Sequence, residues 1–384
     1  MVSKSDNFCF LSSIEDISCD DWNKCAGLNH PFTRYEFLHA LEKSKSAINS
    51  TGWQPFHYVE TNEKKKLISI CPLYIKSHSF GEYIFDHAWA EAFHRYGLQY
   101  YPKLQSAVPF TPVSGERIMT RKNSSNSETI EKRALKNIIN KASKINVSSV
   151  HFNFLSNPKI SYLEKNNLML RKGIQFHWQN KNYKNFDEFL SSLSSRKRKL
   201  INKERLCIKD NDIKIELLTG FQIKKSHWDF FYKCYLNTTE SKWGSSYLTK
   251  DFFYKIGQSM PSKILLVLAK QHEQYIAGAL NFMSDTHLFG RLWGSIIYIP
   301  FLHFELCYYQ AIDYAIKNKF QIVEAGAQGS HKLKRGYMPK EIFSVHWIKN
   351  INFKNAINNY LDEEIKIIEK QKKELEQFAP FKKN

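Results

Sequence analysis

Glu305, Glu324 and His303, in the second half of the chain, are the residue types that acid–base chemistry needs. Over residues 301–319 the side chains Phe301, Tyr308, Ile312, Ala315 and Ile316 recur at helical spacing, and Glu305 falls on the same stripe. A carboxylate on an inward face must be paired or hold its proton, because leaving water penalises the charge. Such a group can take a proton from an attacking amine. His303 points about half a turn of helix away from Glu305, so the two do not form a dyad. Arg291, on a strand expected over 286–293, is the expected partner of Glu305. A pair of that kind has a structural reading as well, in which it only ties helix to sheet.

A second strand, expected over 321–325, carries Glu324 into the run GAQGSHKLKRGY at 326–337. Its glycines let backbone approach a ligand closely, and the cations beside them attract negative charge. Gln328 and His331 are candidate substrate contacts there, and Lys332, Lys334 and Arg335 candidate phosphate contacts. The helix expected over 186–206 has an apolar side of Phe189, Leu193 and Leu200 and a run of six cations offset only by Glu204. Arg196, Lys199 and Lys203 share one face, with Arg198 and Arg205 beside them. Such a run is by default a solvated surface, and its functional reading is phosphate contact.

Residues 77–115 are dense in aromatics and broken by prolines. Tyr83, Phe85, Asp86 and Trp89 set one acid among rings, as a pocket floor or as an aromatic core holding one satisfied Asp. Tyr101, Lys103 and Phe110 lie in stiff segments of the kind that wall a cleft or cross over between elements. Trp293, Tyr308 and Tyr309 complete the candidate substrate contacts, the two tyrosines half core and half pocket wall. No Ser-His-Asp or Cys-His pattern stands out, so a covalent intermediate is not expected, and His151 reads as a core histidine.

These groups need elements to hold them. Residues 51–59 and 67–75 read as strands of an antiparallel hairpin, and 130–144 as a helix followed by a strand at 147–155. A second unit begins near Gly173, with strands at 175–178, 213–218, 264–269 and 275–283 and helical stretches at 227–235 and 248–260. A polar loop is expected at 238–246, containing Trp243 and Gly244. Residues 361–378 form a mixed-charge helical tail. The expected domains are 1–172, 173–352 and a tail at 353–384.

The 384 residues suffice for two cores, and 42% hydrophobic content marks a globular chain. Net charge is +19, which favours a polyanionic partner or merely reflects a Lys-rich surface. Seven scattered cysteines without a C-x-x-C pair point to free thiols in a reducing compartment and no metal site. No apolar run reaches the roughly 18 residues of a membrane span. The expected location is the cytoplasm.

The runs LHFELCYYQAIDYAI…VEAGAQGSHKLKRGY, GEYIFDHAWAEAFHRYGLQYYPKLQSAVPFTPVSG and QFHWQN…FDEFLSSLSSRKRKLINKER resemble the FemAB-like family of peptidoglycan biosynthesis or recognition proteins, within the GNAT acyltransferase superfamily. The likeness spans about residues 30–346. It implies an α/β (α+β) chain of two tandem GNAT-like domains, each a mixed twisted sheet flanked by helices, plus a C-terminal helix. It also implies acyl or aminoacyl transfer from aminoacyl-tRNA or acyl-CoA to an amine, on a peptidoglycan precursor that is UDP- or lipid-linked. No tightly bound cofactor is expected, and peripheral membrane contact is compatible with such an acceptor. Ordinary GNAT enzymes hold the donor pyrophosphate with Arg/Gln-x-x-Gly-x-Gly/Ala. Here Arg291-Leu292-Trp293-Gly294-Ser295-Ile296 departs at its last position, where Ile is too bulky for close backbone approach. The competing reading is a non-catalytic protein that keeps the fold to bind glycopeptide or RNA.

Overall fold

The computed structural model describes residues 7–122, 126–158, 167–243, 246–326 and 329–382. The chain divides into two compact units, each discontinuous in sequence: Met1–Gly173 with Ile342–Ile368, and Ile174–Glu341 with Glu369–Asn384. In chain order the first half holds β1 (Phe8–Leu11), α1 (Cys19–Ala26), α2 (Tyr35–Lys43), β2 (Trp53–Pro55), β3 (His57–Thr61), β4 (Leu67–Cys71) and β5 (Tyr74–Lys76). Then come α3 (His87–Arg95), β6 (Lys103–Ser106), β7 (Met119–Thr120), α4 (Ser127–Lys144), β8 (Ser149–Leu155) and β9 (Met169–Gln179). The second half holds α5 (Phe186–Ser192), α6 (Ser195–Asp210), β10 (Ile213–Thr219), α7 (Lys225–Trp243), α8 (Lys250–Ser259), β11 (Ile264–Gln271), β12 (Gln274–Met283) and β13 (His287–Ser295). A helical segment at 302–317 ends in α9 (Gln310–Lys317) and is followed by β14 (Ile322–Glu324), β15 (Met338–Ile348) and α10 (Ile351–Gln377).

The first unit has a four-stranded antiparallel sheet, β1-β3-β4-β7, and a mixed sheet ordered β15-β8-β6-β5-β2. The expected hairpin is there, but both of its strands break. Pro55 and Pro72 cannot donate to a ladder. Strands β3 and β4 therefore stay in the first sheet while β2 and β5 turn into the second. The corner is closed by the Phe56 amide donating to the Leu73 carbonyl at 2.8 Å. In the mixed sheet β6 and β8 run parallel, which requires a crossover. Helix α4 makes it and buries Ala134, Leu135 and Ile138 against Leu104, Val150 and Phe152.

The second unit repeats the device. Its strands are ordered β10-β11-β12-β13-β14-β9, all antiparallel neighbours except β13 and β14. Residues 302–317 make the crossover, and Ala311, Ile312, Ala315 and Ile316 pack on Val267, Ala279, Leu288 and Val323. Each isoleucine, leucine or valine among them contributes about 2 kcal/mol relative to exposure, and each alanine less.

Three sequence expectations need correction. Residues 186–206 are two helices, not one. Leu193 and Ser194 are extended because Leu193 bridges to Phe381 and the Ser194 amide donates to the Pro380 carbonyl at 2.9 Å. Leu193 and Leu200 thus share no helix face. Within 238–246, α7 continues through Trp243, and Gly244 lies outside the described residues. Within 77–115 a helix was missed: α3 buries Trp89 and Phe93, four apart, against Ile357 and Leu361 of α10.

Helix α7 lies close on β13. A Cβ added at Gly294 would stand 2.1 Å from the Cys234 carbonyl oxygen, a backbone atom that cannot swing away. Gly294→Ala should therefore destabilise the protein by about 1–3 kcal/mol, read as a lower urea midpoint with unchanged m-value; a midpoint equal to the wild type would refute the close packing.

Candidate functional site

Strands β13 and β14 are in register from His287 opposite Ile322 to Phe289 opposite Glu324, and there the pairing ends. β13 runs on to Ser295 with β12 on one side and no strand among the described residues on the other. The divergence has a local cause. Leu280 pairs with Leu292 and Asn281 with Gly290, so Arg291 is an extra residue, a bulge that bends the strand and re-aims its own side chain. In the opening lies a cavity of about 90 Å³ lined by Leu280, Arg291, Trp293, His303, Cys307 and Tyr308, among others.

The helical segment reaches this cavity through an irregularity. Residues Glu305–Tyr309 form a π-helical turn, in which the Gln310 amide donates to the Glu305 carbonyl. One extra residue in the turn rotates the facing of the side chains beyond it. His303, Cys307 and Tyr308 border the cavity, whereas Glu305 and Tyr309 meet α6. Arg205 donates to both oxygens of Glu305, at 3.2 Å from Nε and 3.1 Å from Nη2, and Gln310 Nε2 donates to it at 2.7 Å. The expected pairing of Glu305 with Arg291 is thus incorrect: the guanidinium comes from α6. The adjoining Glu204 accepts from the Tyr309 hydroxyl and from Arg335 Nη2 at 2.6 Å, while Arg335 Nε donates to the Tyr309 hydroxyl at 2.9 Å. The Arg335 guanidinium stacks 3.5 Å over Phe304. These are the contacts of a clamp on the π-turn.

Glu324 has other surroundings. Its side chain is buried, and Oε2 has no hydrogen-bond partner among the described residues. Burial pushes its carboxyl up to about 8, against the pull of Arg291. The six-residue 3-10 turn Ser330–Arg335 begins after Gly329 and ends at Gly336, both at positive φ, 115° and 92°, where other residues are strained. It buries Lys332, whose ammonium donates to the Gly326 carbonyl at 3.2 Å. Desolvation lowers that amine to about 8, the nearby Cys307 opposing and Arg291 adding to the shift. His331 Nε2 and the Tyr308 hydroxyl are 2.9 Å apart, and burial lowers the imidazole pKa. Gln328 lies outside the described residues.

On α6, Arg196, Lys199 and Lys203 are exposed on one face, and Arg198 is half-buried. Lys334 is exposed on the 3-10 turn. The Lys197 amine is lowered by desolvation and by the charges of Lys334, Arg196 and Arg335, so these cations stand close together. Arg205, in contrast, turns inward to Glu305.

The remaining candidates belong to the first unit. Asp86 and Lys103 are buried partners; the Lys103 ammonium also donates to Glu82 Oε2 and Ser79 Oγ, each at 2.8 Å, and Tyr100 donates to Asp86 at 2.6 Å. Lys103 holds the Asp86 carboxyl well below its usual range despite burial. Tyr101 bonds Ser79 at 2.8 Å, Phe110 packs on Trp53, Tyr83 is half-buried with a φ of 60°, and Phe85 is exposed. Trp89 packs edge-on against His346. His346 Nδ1 lies 2.6 Å from His151 Nδ1, and their Nε2 atoms meet Ser344 at 2.8 Å and Ser149 at 2.7 Å. Burial lowers both imidazoles, His151 to about 3. Asp86 is thus a buried acid among rings, paired with Lys103 and Tyr100 through one oxygen, while Oδ1 has no hydrogen-bond partner among the described residues.

The first unit also has a gap beyond its parallel pair; the returning chain bonds across it and borders a cavity of about 380 Å³ lined by Gly115, Arg117, Phe152 and Leu155, among others. Past Ser106 opposite Phe152, the Gly115 amide donates to the Phe154 carbonyl at 2.9 Å. The buried Arg117 donates from Nε to the Asn153 carbonyl at 2.8 Å and from Nη2 to the Val113 carbonyl at 2.7 Å. Sequence reasoning missed these contacts of Gly115 and Arg117, and it missed Cys307 as a cavity residue. Arg117 stands in no charge run, and Cys307 is placed by the π-turn, which helical periodicity does not register.

The FemAB-like family, described as peptidoglycan biosynthesis/recognition, matches residues 13–383, and the chain belongs to it. Among solved structures it is similar to FemX, with 13% identity over 90% of this chain and 98% of that one and a TM-score of 0.53. It is also similar to the C-terminal domain of a putative lysylphosphatidylglycerol synthetase from Agrobacterium fabrum, with 8% identity over 88% and 95% of the two chains and a TM-score of 0.52. At these identities the likeness is one of fold, and the fold is α/β in two compact units. No curated protein matches by sequence. Among the described residues, no helix is long and apolar enough to cross a membrane.

The two carboxylates can be probed separately. Folded Glu324 keeps its proton from its ordinary value near 4.5 up to about 8, while the unfolded group has lost it. It therefore lowers stability as pH rises through that window. Melting curves of wild type and Glu324→Gln should converge near pH 4.5 and separate by pH 8 in favour of the variant; parallel curves would place the titration elsewhere. Lys332, lowered from 10.5, acts only above about pH 8. Glu305→Ala should cost about 2 kcal/mol of stability by removing charge-assisted hydrogen bonds, measured by urea unfolding, and no loss would mean that the clamp is idle.

Proposed function

We propose that the chain is an acyltransferase that moves an acyl group from an activated donor to an amine, with the reacting carbonyl in the opening between β13 and β14. The observation that carries this reading is that opening, lined by Arg291, whose charge acts on the buried Glu324 carboxyl of β14 and on the Lys332 amine. An extended ligand arm bearing amides can lie along β13 beyond Gly290, where no described strand pairs with it. The attacking amine bonds to the acyl carbonyl carbon, charge develops on the carbonyl oxygen, and the donor's leaving group departs as the carbonyl re-forms. In this scheme Arg291, which lines the cavity, stabilises the oxyanion, and the nearby Lys332 adds to the positive field. Glu324 takes the amine proton once ionised, and a value of about 8 keeps both of its forms accessible near neutral pH. Glu305 is a positioning residue in this scheme, acting through the π-turn.

The exposed cations Arg196, Lys199, Lys203 and Lys334 suit donor or acceptor phosphates. The donor is an aminoacyl-tRNA or an acyl-CoA, used as a co-substrate. Family membership supports a peptidoglycan precursor as the source of the amine.

Glu324→Gln should lower the transfer rate about 10²- to 10⁴-fold and leave donor affinity unchanged, and the wild-type rate should rise as pH passes about 8. Melting temperatures measured with acetyl-CoA, aminoacyl-tRNA and a UDP-linked muropeptide identify the ligands, because only those bound by the folded state raise it. A Gln variant with wild-type rate would overturn the role of Glu324. Ligand binding without turnover of any donor would favour a recognition protein.

A further inference from the structure

We infer that the first unit binds a fatty acid, its alkyl chain along a groove between α3 and the start of α10 and its carboxylate at Lys349. This site owes nothing to the acyltransferase reading.

Two cavities share Leu98 and Asn350 and so form one trough. The first, of about 580 Å³, runs between the helices and is lined by Trp89, Ala92, Tyr96, Phe353, Ala356 and Tyr360, among others. That size is ordinary for a small-molecule site. The floor is firm: Trp89, Phe93, Ile357 and Leu361 are buried together, and the Phe93 and Phe353 rings lie 4.0 Å apart. The rim is uncovered, since Tyr96 is 78% exposed and Tyr360 51%. Rings left in water beside an apolar trough mark a binding surface rather than a core.

Charge says what lies there. Among the described residues, no charged side chain lines the cavity between the helices. The charges beside it are already engaged. Arg171 donates to both oxygens of Glu364 at 2.7 Å, Glu91 pairs with Arg95 along α3, and Lys354 donates to Asn167 at 3.1 Å. The second cavity, of about 330 Å³, differs: it holds Lys349, the one charged residue lining either cavity among the described residues. Lys349 is exposed and pairs with no carboxylate among the described residues, its ammonium donating to the Ile145 carbonyl at 3.4 Å. The exposed Gln99 and Asn146 alongside offer amide N–H donors. An uncharged stretch that ends at one cation and amide donors matches an alkyl chain that ends in a single negative charge. A diphosphate head would bring more charge than one lysine meets.

The test titrates the full chain by calorimetry with monomeric decanoate, decanol and farnesyl diphosphate. Decanoate should bind with a negative heat-capacity change. Ala356→Trp, or Ala88→Phe should the first variant fold poorly, should weaken it about tenfold or more by filling the trough. Lys349→Glu should weaken decanoate about threefold or more and leave decanol unchanged, while Lys349→Arg keeps the wild-type affinity. Decanoate that fails to bind, or that binds equally well to the filled variant, would overturn the inference. Farnesyl diphosphate bound more tightly than decanoate would overturn the carboxylate in favour of a diphosphate lipid. A wild-type dimer that Ala356→Trp dissociates would assign the groove to a second copy of the chain instead. Phosphatidylglycerol vesicles that retain the protein in saturating decanoate would assign it to a membrane surface.

Discussion

When two parallel strands part inside an otherwise antiparallel sheet, the backbone groups between them need new partners. Both units of this protein meet that constraint, since each contains one parallel pair made by a helical crossover. They answer it differently. In the first unit Gly115 and Arg117 return to satisfy the carbonyls of Phe154 and Asn153. In the second unit a bulge at Arg291 widens the separation, and a small cavity is left. The two gaps thus differ in lining rather than in being open or closed: Gly115, Arg117 and Phe152 border a cavity in the first, Arg291, His303 and Cys307 one in the second.

The second gap keeps its shape because of charges that never touch it. Consecutive residues of α6, Glu204 and Arg205, reach opposite ends of the π-turn, to Tyr309 and Glu305. Arg335 joins the same clamp and stacks on Phe304. Breaking a buried pair leaves an uncompensated charge, so such contacts resist rearrangement even where their net contribution to stability is small. The exposed cations of α6 therefore sit on the same rigid element that fixes the cavity wall.

Much of this was legible in the sequence, and the rest was hidden for physical reasons. Periodicity located the strands that carry Arg291 and Glu324 and the helix between them. It put Glu305 on an inward face correctly, yet could not say which cation would meet it, because Arg205 is a hundred residues away along the chain and charge pairing leaves no periodic trace. The cationic run on α6 reads as uniform from residue types alone, whereas in the fold Arg205 turns inward and Arg196, Lys199 and Lys203 stay in water. Leu193 has helical neighbours and good helical propensity, but a segment near the C-terminus pairs with it and holds it extended. Local preference was overridden there by a contact almost two hundred residues distant.

The facing rings of His151 and His346 carry one consequence further. Both imidazoles are neutral, and two Nδ1 atoms 2.6 Å apart can bond only if one bears hydrogen and the other offers a lone pair. A neutral ring bearing hydrogen on one nitrogen must accept at the other, so the choice at the centre fixes both ends. If His151 donates, its far nitrogen accepts from Ser149 or Tyr100 while His346 donates to Ser344; if His346 donates, the sense at both ends reverses. A single hydrogen thereby orients four side chains on two neighbouring strands, and they can switch sense only in concert.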